Sequence, residues 1–314
     1  MSSARRAVGI EELPSIGEAV ITLGVFDGVH LGHRAILAAT RDLAAEAGLP
    51  SAALVFDPPP EEVLRPGSSV ARLAPLAVNL KRIEAVGVTV ALPFRFDEQV
   101  RDLAADAFID ALAPEIVIGG LAMSVRSAFG RDRGGTPARA QQLGVERGFE
   151  VRLVEPVEVG GSAVSSTRIR TAIVNGNVEE ARELGVTPYL EGTVVVGDRR
   201  GRELGFPTAN LRFDYLPVMP SLGVYAGRVT QAGSGVATGH PALISIGTRP
   251  TFHDDAAVLA EVHLLDFDGD LYGVLLGVEL LARLRDQQRF GDADSLVAQM
   301  RRDADAGRSV LGMS

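Results

Sequence analysis

The chain is 314 residues long and carries 31 basic against 40 acidic side chains, a net charge of −9 at pH 7. This acidic balance argues against a general nucleic-acid surface, which needs a basic patch, and the absence of cysteine excludes disulfides, thiolate metal sites and cysteine nucleophiles. The length predicts two domains. No stretch approaches the ~20 apolar residues of a membrane span. We therefore expect a cytoplasmic protein that binds neither nucleic acid nor membrane.

Strand-like and helix-like segments alternate through the first half of the chain. The first strand is expected at 19–25, and the apolar spacing after it predicts a helix that stops at Gly48. Such alternation predicts a parallel sheet with crossover helices, in which ligands bind at the carboxyl ends of the strands. Further strands are expected at 51–56, 88–92, 115–118 and 151–154, and helices at 75–86, 98–112, 137–148, 166–175 and 178–185.

The turn after the first strand holds two of the chain's five histidines, His30 and His33, in the sequence GVFDGVHLGH over residues 24–33. A strand followed by a glycine-rich turn and a helix places both imidazoles near a helix N-terminus, where free backbone N–H groups and the helix dipole favour anions. The glycines let the backbone approach a ligand closely. The pattern therefore indicates a phosphate site, with two ordinary polar loop residues as the alternative.

A second segment of the first half, VSSTRIR over residues 164–170, combines hydroxyl side chains with two arginines at the start of a predicted helix. Ser and Thr are common helix N-caps, so a plain capping motif explains this segment about as well as an anion site does.

After Pro188 the chain changes to short β-rich runs separated by Gly, Pro and Asp. This pattern predicts a small antiparallel barrel with a C-terminal helix. Residues 231–239 have the composition of a hairpin tip. Strands are expected at 192–196, 223–230, 242–246, 258–265 and 274–280, and helical periodicity at 281–285 and 293–306.

Residues 192–210 of this second half read GTVVVGDRRGRELGFPTAN. Glycine-rich turns with basic residues can wrap a polyphosphate through backbone N–H groups, although a tight, charged β-turn explains any four of these residues equally well. No Gly-Lys-Ser/Thr follows, which excludes a Walker A loop.

Together these segments resemble the bacterial bifunctional riboflavin kinase/FAD synthetase family. The histidine turn is similar to the G-x-F-D-G-V-H-x-G-H of its HxGH nucleotidyltransferase domain, the 164–170 segment to S-S-T-x-x-R, and the 192–210 run to the riboflavin kinase signature ending in L-G-F-P-T-A-N. The likeness extends from about residue 19 to residue 311. It implies a Rossmann-like FMN adenylyltransferase domain at 1–186 and an antiparallel β-barrel riboflavin kinase domain with a C-terminal helix at 187–314.

The resemblance implies an enzyme that phosphorylates riboflavin to FMN with ATP and adenylylates FMN to FAD with release of pyrophosphate. It assigns Glu261 as the base for the ribityl 5′-hydroxyl, Thr208 and Asn210 to Mg²⁺, and Arg285 and Phe290 to the flavin. The implied catalytic histidines are His30 and His33, and the implied ATP and phosphate contacts are Gly24, Phe26, Gly28, Gly32, Ser165, Ser166, Thr167, Arg170, Gly197, Gly201, Gly205 and Pro207.

Two stretches depart from the family pattern. Pro59 stands where relatives have a histidine, and residues 119–130 lack the asparagine of the family's G-x-N-F-x-F-G element. Besides the bifunctional enzyme, two readings therefore stay open: a riboflavin kinase whose first domain is weak, inactive or altered in specificity, and a non-catalytic flavin-binding regulatory protein. The trio Thr208, Asn210 and Glu261 argues against the last, because binding alone needs no base. We expect a monomer or a weak homo-oligomer.

Overall fold

The computed structural model describes residues 6–197, 204–232, 236–248 and 258–313. The chain divides into two compact units, of which the first comprises Met1–Val70 with Pro75–Ser166 and the second Ala71–Ala74 with Thr167–Ser314. Within the described ranges, no helix is long and apolar enough to cross a membrane. The assignment of one activity to 1–186 and the other to 187–314 stays a prediction.

The first unit is built on the parallel sheet that the alternation of segments predicts. Its strands run side by side in the order β3-β2-β1-β4-β5. They are β1 (Gly17–Gly24), β2 (Ser51–Phe56), β3 (Val90–Phe94), β4 (Ile116–Ser124) and β5 (Glu150–Val154), and a short hairpin adds β6 (Glu158–Val159) and β7 (Ser162–Ala163). The helices are α1 (Leu31–Ala47), α2 (Pro60–Leu64), α3 (Leu76–Ala85), α4 (Glu98–Asp102), α5 (Ala105–Leu112) and α6 (Pro137–Arg147).

The central strand β1 is nearly continuously apolar because both of its faces are covered. Ile21 lies in the core cluster that includes residues of α5 and α6, whereas Val20 packs on the opposite face against Leu43 of α1. The helix α1 ends where the sequence predicts, since Gly48 takes the left-handed conformation (φ 68°) that caps a helix C-terminus. The turn that follows the carboxyl end of β1 leads directly into the start of α1.

Two expectations for the first unit need correction. The single helix expected at 98–112 is broken, because Leu103 is extended and its carbonyl accepts a hydrogen bond from the Arg131 N–H (2.7 Å). The fourth strand continues to Ser124 rather than ending at 118, so Gly120 lies inside a strand and not after it. A Cβ on Gly120 would come within 3.0 Å of the Leu43 side chain, so this glycine lets α1 pack closely on the sheet.

The second unit contains the expected closed antiparallel barrel, in the order β10-β11-β12-β9-β8-β13. Its strands are β8 (Tyr189–Val195), β9 (Ala209–Arg212), β10 (Gly223–Ala232), β11 (Pro241–Thr248), β12 (Val258–Leu264) and β13 (Leu275–Asp286). Among the described residues, the helices of this unit are α7 (Ser166–Val174), whose first residue still counts with the first unit, α8 (Val178–Glu183) and α9 (Ala293–Val310).

The helix expected at 281–285 is wrong, because these residues are the last part of β13. The whole strand pairs with β10 along one edge, and its first half pairs with β8 along the other. The strand β9 is an element that the sequence did not predict. Of the expected hairpin tip, residues 233–235 lie outside the described part of the chain, while β10 extends to Ala232.

Alternation along β12 separates the barrel core from a second, outer surface. Ala260, Val262 and Leu264 belong to the core cluster inside the barrel. Glu261 and His263 therefore lie on the outer face, because successive side chains of a strand point to opposite sides. The C-terminal helix α9 packs on the strands β10, β11 and β13.

We predict that Gly227→Ala destabilises the barrel by about 1–3 kcal/mol, because the new Cβ would clash with the Glu279 carbonyl of β13 and the Ile244 side chain. The chain has no tryptophan, and its four tyrosines all lie beyond residue 186, so tyrosine fluorescence in a urea titration reports on this half alone. The control Gly291→Ala adds a Cβ into open space and should leave the midpoint unchanged. Equal midpoints for the two variants would contradict the strand packing described.

Candidate functional site

The predicted histidine turn forms one site at the carboxyl end of β1. His30 is the N-cap of α1, and its Nδ1 accepts a hydrogen bond from the His33 backbone N–H (3.3 Å). The two imidazole rings stack with centroids 3.6 Å apart, and the Phe26 ring meets His33 edge-on at 5.3 Å. His30 is only 5% exposed, so its orientation is fixed by packing as well as by the hydrogen bond.

This geometry determines which hydrogen-bond donors the turn can offer. Because Nδ1 of His30 accepts a hydrogen bond, the neutral ring carries its proton on Nε2. Gly32 makes the arrangement possible, since a Cβ there would come within 3.2 Å of the His30 ring. An imidazole N–H, the first backbone amides of a 17-residue helix and the positive end of its dipole thus occur together, which suits phosphate oxygens.

The segment 164–170, which contains the hydroxyl side chains and two arginines, divides between the two units. Ser165 directly precedes α7, and Ser166 is its first residue, with Oγ 3.5 Å from the Asp27 carbonyl oxygen of the histidine turn. Thr167 and Arg170 belong to the second unit, where the Arg170 Nε donates to the Ala71 carbonyl (2.9 Å). The structure therefore shows Ser166 close to the histidine turn. That Thr167 and Arg170 contact a phosphate ligand bound at this turn stays a prediction.

In the second unit, Thr208 and Asn210 line two different cavities. One of these, the loop cavity, also has Gly197, Pro207 and the residues Asp268–Tyr272 in its walls. The other, the helix cavity, lies between the outer face of the barrel and α9 and has a volume of about 280 Å³. Gly205 lines a third, adjoining depression together with Pro207, and Gly201 falls outside the described residues.

The helix cavity brings Glu261 together with Thr208 and Asn210. Glu261 pairs with Asn210 of β9 on one side and with Ser245 of β11 on the other. Directly opposed residues of an antiparallel pair have Cβ atoms about 5 Å apart on the same face of the sheet. The remaining walls are largely apolar and come from Leu204, Phe206, Val224, Leu243, Leu296 and Met300.

Arg285 also lines the helix cavity, as part of an ion pair. Its Nε and Nη2 bind the Asp303 carboxylate of α9 at 2.7 to 3.1 Å, and these side chains are only 15% and 7% exposed. Gln299 donates a further hydrogen bond to Asp303 (2.8 Å). The Phe290 ring lies 5.9 Å from the Arg285 guanidinium carbon. Contact of Arg285 and Phe290 with a flavin stays a prediction.

His263 is a member of the helix cavity that the sequence analysis did not identify. Its Nδ1 lies 2.8 Å from the Pro207 carbonyl oxygen, and its ring is 5.4 Å from that of Phe206. Burial holds the pKa of His263 below its usual value, so the ring is neutral at pH 7 and Nδ1 carries the donated proton. The signal available was its spacing of two residues from Glu261 on a strand, which puts both on one face.

Thr208 and Asn210 have a donor set that fits Mg²⁺. Their hydroxyl and amide oxygens are hard ligands, and the carboxylates of Asp268 and Asp270 line the same loop cavity. Gly197 leaves the space that the Asn210 amide occupies, since a Cβ on Gly197 would clash with that amide. Within the described residues, no group of three or more histidine or acidic side chains is arranged to hold a metal. Mg²⁺ would therefore need phosphate oxygens and water to complete its coordination.

The first unit has a parallel sheet with a histidine pair at a helix N-terminus. The second has a barrel with hydroxyl, amide and carboxylate groups around a cavity. Together these features are typical of a nucleotide-dependent transferase. Family models agree: the model described as FAD synthetase matches residues 13–168, and that described as riboflavin kinase matches residues 184–311.

Curated relatives carry the same pair of activities in their names. Bifunctional riboflavin kinase/FMN adenylyltransferases from Listeria monocytogenes, Pseudomonas fluorescens and Escherichia coli K12 are 36%, 38% and 36% identical to this chain. The matches cover 93%, 94% and 100% of this chain and 92%, 94% and 99% of the relatives. The chain belongs to the bifunctional riboflavin kinase/FMN adenylyltransferase family and has both activities.

A solved structure described as a macrolide-efflux protein from Streptococcus pneumoniae has the same fold. It superposes with a TM-score of 0.86 at 30% sequence identity, covering 96% of this chain and 98% of the other. The likeness extends over both units.

We predict that Asp303→Ala destabilises the second unit by about 3 kcal/mol, because the change leaves the Arg285 guanidinium in a largely buried site without its carboxylate partner. The control is Asp305→Ala on the same helix, which removes an exposed ion pair to Arg308 and should cost less than about 1 kcal/mol. Tyrosine fluorescence during urea unfolding measures both. Similar losses for the two variants would show that the buried pair does not anchor α9.

Proposed function

We propose that riboflavin is phosphorylated in the helix cavity and that FMN is adenylylated at the histidine turn. The observation that carries the first assignment is that one cavity is lined by Glu261, Thr208 and Asn210 together. The second is supported by the stacked His30 and His33 at the N-terminus of α1. The two activities thereby belong to the domains at 187–314 and 1–186.

In the kinase step, the 5′-hydroxyl oxygen of riboflavin attacks the γ-phosphorus of ATP, and the bond between that phosphorus and the β-phosphate oxygen breaks. Glu261 accepts the hydroxyl proton as the new bond forms. ATP binds in the loop cavity, where Gly197 and Pro207 contact its phosphates. Gly205, which lines the adjoining depression, and Gly201, which lies outside the described residues, are assigned to the same phosphates by the sequence resemblance alone. Because Thr208 and Asn210 line both cavities, they stand between the two substrates.

Thr208 and Asn210 would hold Mg²⁺, which neutralises charge on the ATP phosphates when bound. The flavin ring occupies the apolar part of the helix cavity, against Leu296 and Met300 of α9. Arg285 lines that site, with the Phe290 ring 5.9 Å from its guanidinium carbon, and the ion pair with Asp303 keeps the guanidinium in place.

In the adenylylation step, a phosphate oxygen of FMN attacks the α-phosphorus of ATP, and pyrophosphate leaves. No covalent enzyme intermediate is needed, so the site contributes alignment and charge neutralisation. His30 and His33 donate N–H groups to the phosphates, and the backbone at Gly24, Phe26, Gly28 and Gly32 surrounds them. Ser165 and Ser166, which belong to the same unit as the turn, complete this site, and the sequence resemblance alone assigns Thr167 and Arg170 to the ATP phosphates.

Beyond the two reactions, we propose a cytoplasmic enzyme whose partners are the small molecules riboflavin, FMN and ATP, with no nucleic-acid or membrane partner. The net charge of −9 supports the exclusion of nucleic acid. We propose a monomer or weak homo-oligomer, because each site can be assembled from a single chain.

We predict that the double change His30→Ala and His33→Ala abolishes FAD formation from FMN while FMN formation from riboflavin continues. Glu261→Gln, which keeps the shape of the side chain but removes the base, should do the reverse and lower FMN formation by about 10²-fold or more. Chromatographic assay of each half-reaction with purified protein measures both, and the circular dichroism spectrum of each variant, compared with that of the parent, checks that both units stay folded. Equal loss of both activities from a folded variant would refute two separate sites.

We predict that Thr208→Val, which replaces the hydroxyl by a methyl group of equal size, raises the Mg²⁺ concentration needed for half-maximal FMN formation by about tenfold. The reason is the loss of one hard oxygen donor at the boundary of the two cavities. Initial rates measured against Mg²⁺ concentration give this value, with FAD formation from supplied FMN as the control in the same protein. An unchanged Mg²⁺ dependence would remove Thr208 from the metal site.

A further inference from the structure

The histidine turn has a backbone conformation that needs outside support. Three of its residues have positive φ angles: Phe26 at 49°, Gly28 at 78° and Val29 at 50°. Glycine adopts such a conformation freely, but for a β-branched residue such as Val29 it is strained. Strained backbone persists only where the surrounding structure over-determines it, and such positions cluster at functional sites. Contacts from outside the turn must therefore hold this conformation.

Two side chains of α3 bind the turn at Gly28, more than fifty positions away in sequence. The Asn79 Oδ1 accepts a hydrogen bond from the Gly28 N–H (3.0 Å), and its Nδ2 lies 3.4 Å from the Asp27 Oδ1. The Arg82 Nη1 donates to the Gly28 carbonyl oxygen (3.3 Å). The peptide groups on both sides of Gly28 are thus bound by one helix, which fixes the plane of each.

Asn79 occupies a position where a polar side chain is costly. It is 5% exposed and lies on the face of α3 that also buries Leu80 and Ile83. A buried amide without hydrogen bonds is unfavourable. The Asn79 amide is tolerated in this position because its oxygen and its nitrogen both have partners in the turn. An apolar residue at this position would leave the Gly28 N–H without this acceptor.

Gly28 stands two residues before His30, whose Nδ1 caps α1 and whose ring stacks on His33. A rotation of either peptide group at Gly28 is passed directly to the His30 backbone and so to both rings. Reacting groups misplaced by about 1 Å can lose 10²-fold in rate.

We propose that Asn79, assisted by Arg82, is a positioning residue for FMN adenylylation, which sets the direction of His30 and His33 by fixing the peptide groups around Gly28. The proposal rests on the function proposed above for the histidine turn. Asn79 itself contacts the turn, and no contact with substrate is assigned to it.

The test uses Asn79→Leu, which removes both hydrogen bonds, and Asn79→Asp, which keeps an acceptor for the Gly28 N–H but faces the Asp27 carboxylate with a like charge. We expect both to lower kcat for FAD formation by about tenfold or more, with KM for FMN and ATP changed by less than about threefold. Arg82→Met should have a smaller effect in the same direction. FMN formation from riboflavin should not change in any of them.

A loss of stability alone would also reduce FAD formation, so two controls separate it from positioning. Ile83→Ala removes a fully buried side chain of the same helix but leaves the hydrogen bonds at Gly28 intact. The imidazole Cε1–H resonances of the five histidines are the second readout, because only His30 and His33 lie in the first half of the chain. We expect these two resonances to move in the Asn79 variants and to stay in Ile83→Ala.

The proposal is overturned if kcat for FAD formation in both Asn79 variants stays within about twofold of the parent, or if Ile83→Ala reproduces their kinetic and resonance changes. Failure of the underlying function has a different signature. In that case the double change of His30 and His33 to alanine leaves FAD formation intact, whatever Asn79 does to the histidine resonances.

Discussion

The short pairing of β9 with β12 is the constraint on which the proposed kinase site depends. Only two residue pairs form it, Asn210 with Glu261 and Ala209 with Val262, yet it closes the barrel between β12 and β8. Because side chains alternate along a strand, the pairing sends Val262 into the core and Glu261 outward beside Asn210. One register therefore closes the barrel and brings the Glu261 carboxylate, proposed above as the base, beside Asn210, proposed above as a metal ligand.

In the first unit, a turn rather than a strand pairing positions the polar side chains. A parallel strand buried on both faces ends at Gly24, and the chain must reverse into α1 within a few residues while presenting polar groups at the sheet edge. The positive φ angles of Phe26 and Val29 are the result, and α3 supplies the hydrogen bonds at Gly28 that hold them. In both units a functional group thus depends on a neighbouring element that is distant in sequence.

The sequence predicted those features whose signals are local and missed those decided by distant contacts. The buried strands and the end of α1 at Gly48 follow from apolar runs and a terminating glycine. The helix expected at 281–285 fails because five residues fit helical and strand spacing alike, and pairing with β10 decides between them. Asn79 was overlooked, although a polar residue at helical spacing from Leu76 and Ile83 was a visible sign of a buried hydrogen-bond partner.

If the chain carries two separate sites, as proposed above, then a variant that keeps only one site should be complemented by a variant that keeps only the other, and mixing the two variants tests this most directly. Glu261→Gln and the double histidine-to-alanine variant are each incubated with riboflavin, ATP and Mg²⁺, alone and as an equimolar mixture, and flavins are separated by chromatography. Neither variant alone should convert riboflavin to FAD, whereas the mixture should produce FAD after a lag in which FMN accumulates. A mixture that makes no FAD, although each variant keeps its own half-reaction, would contradict independent sites.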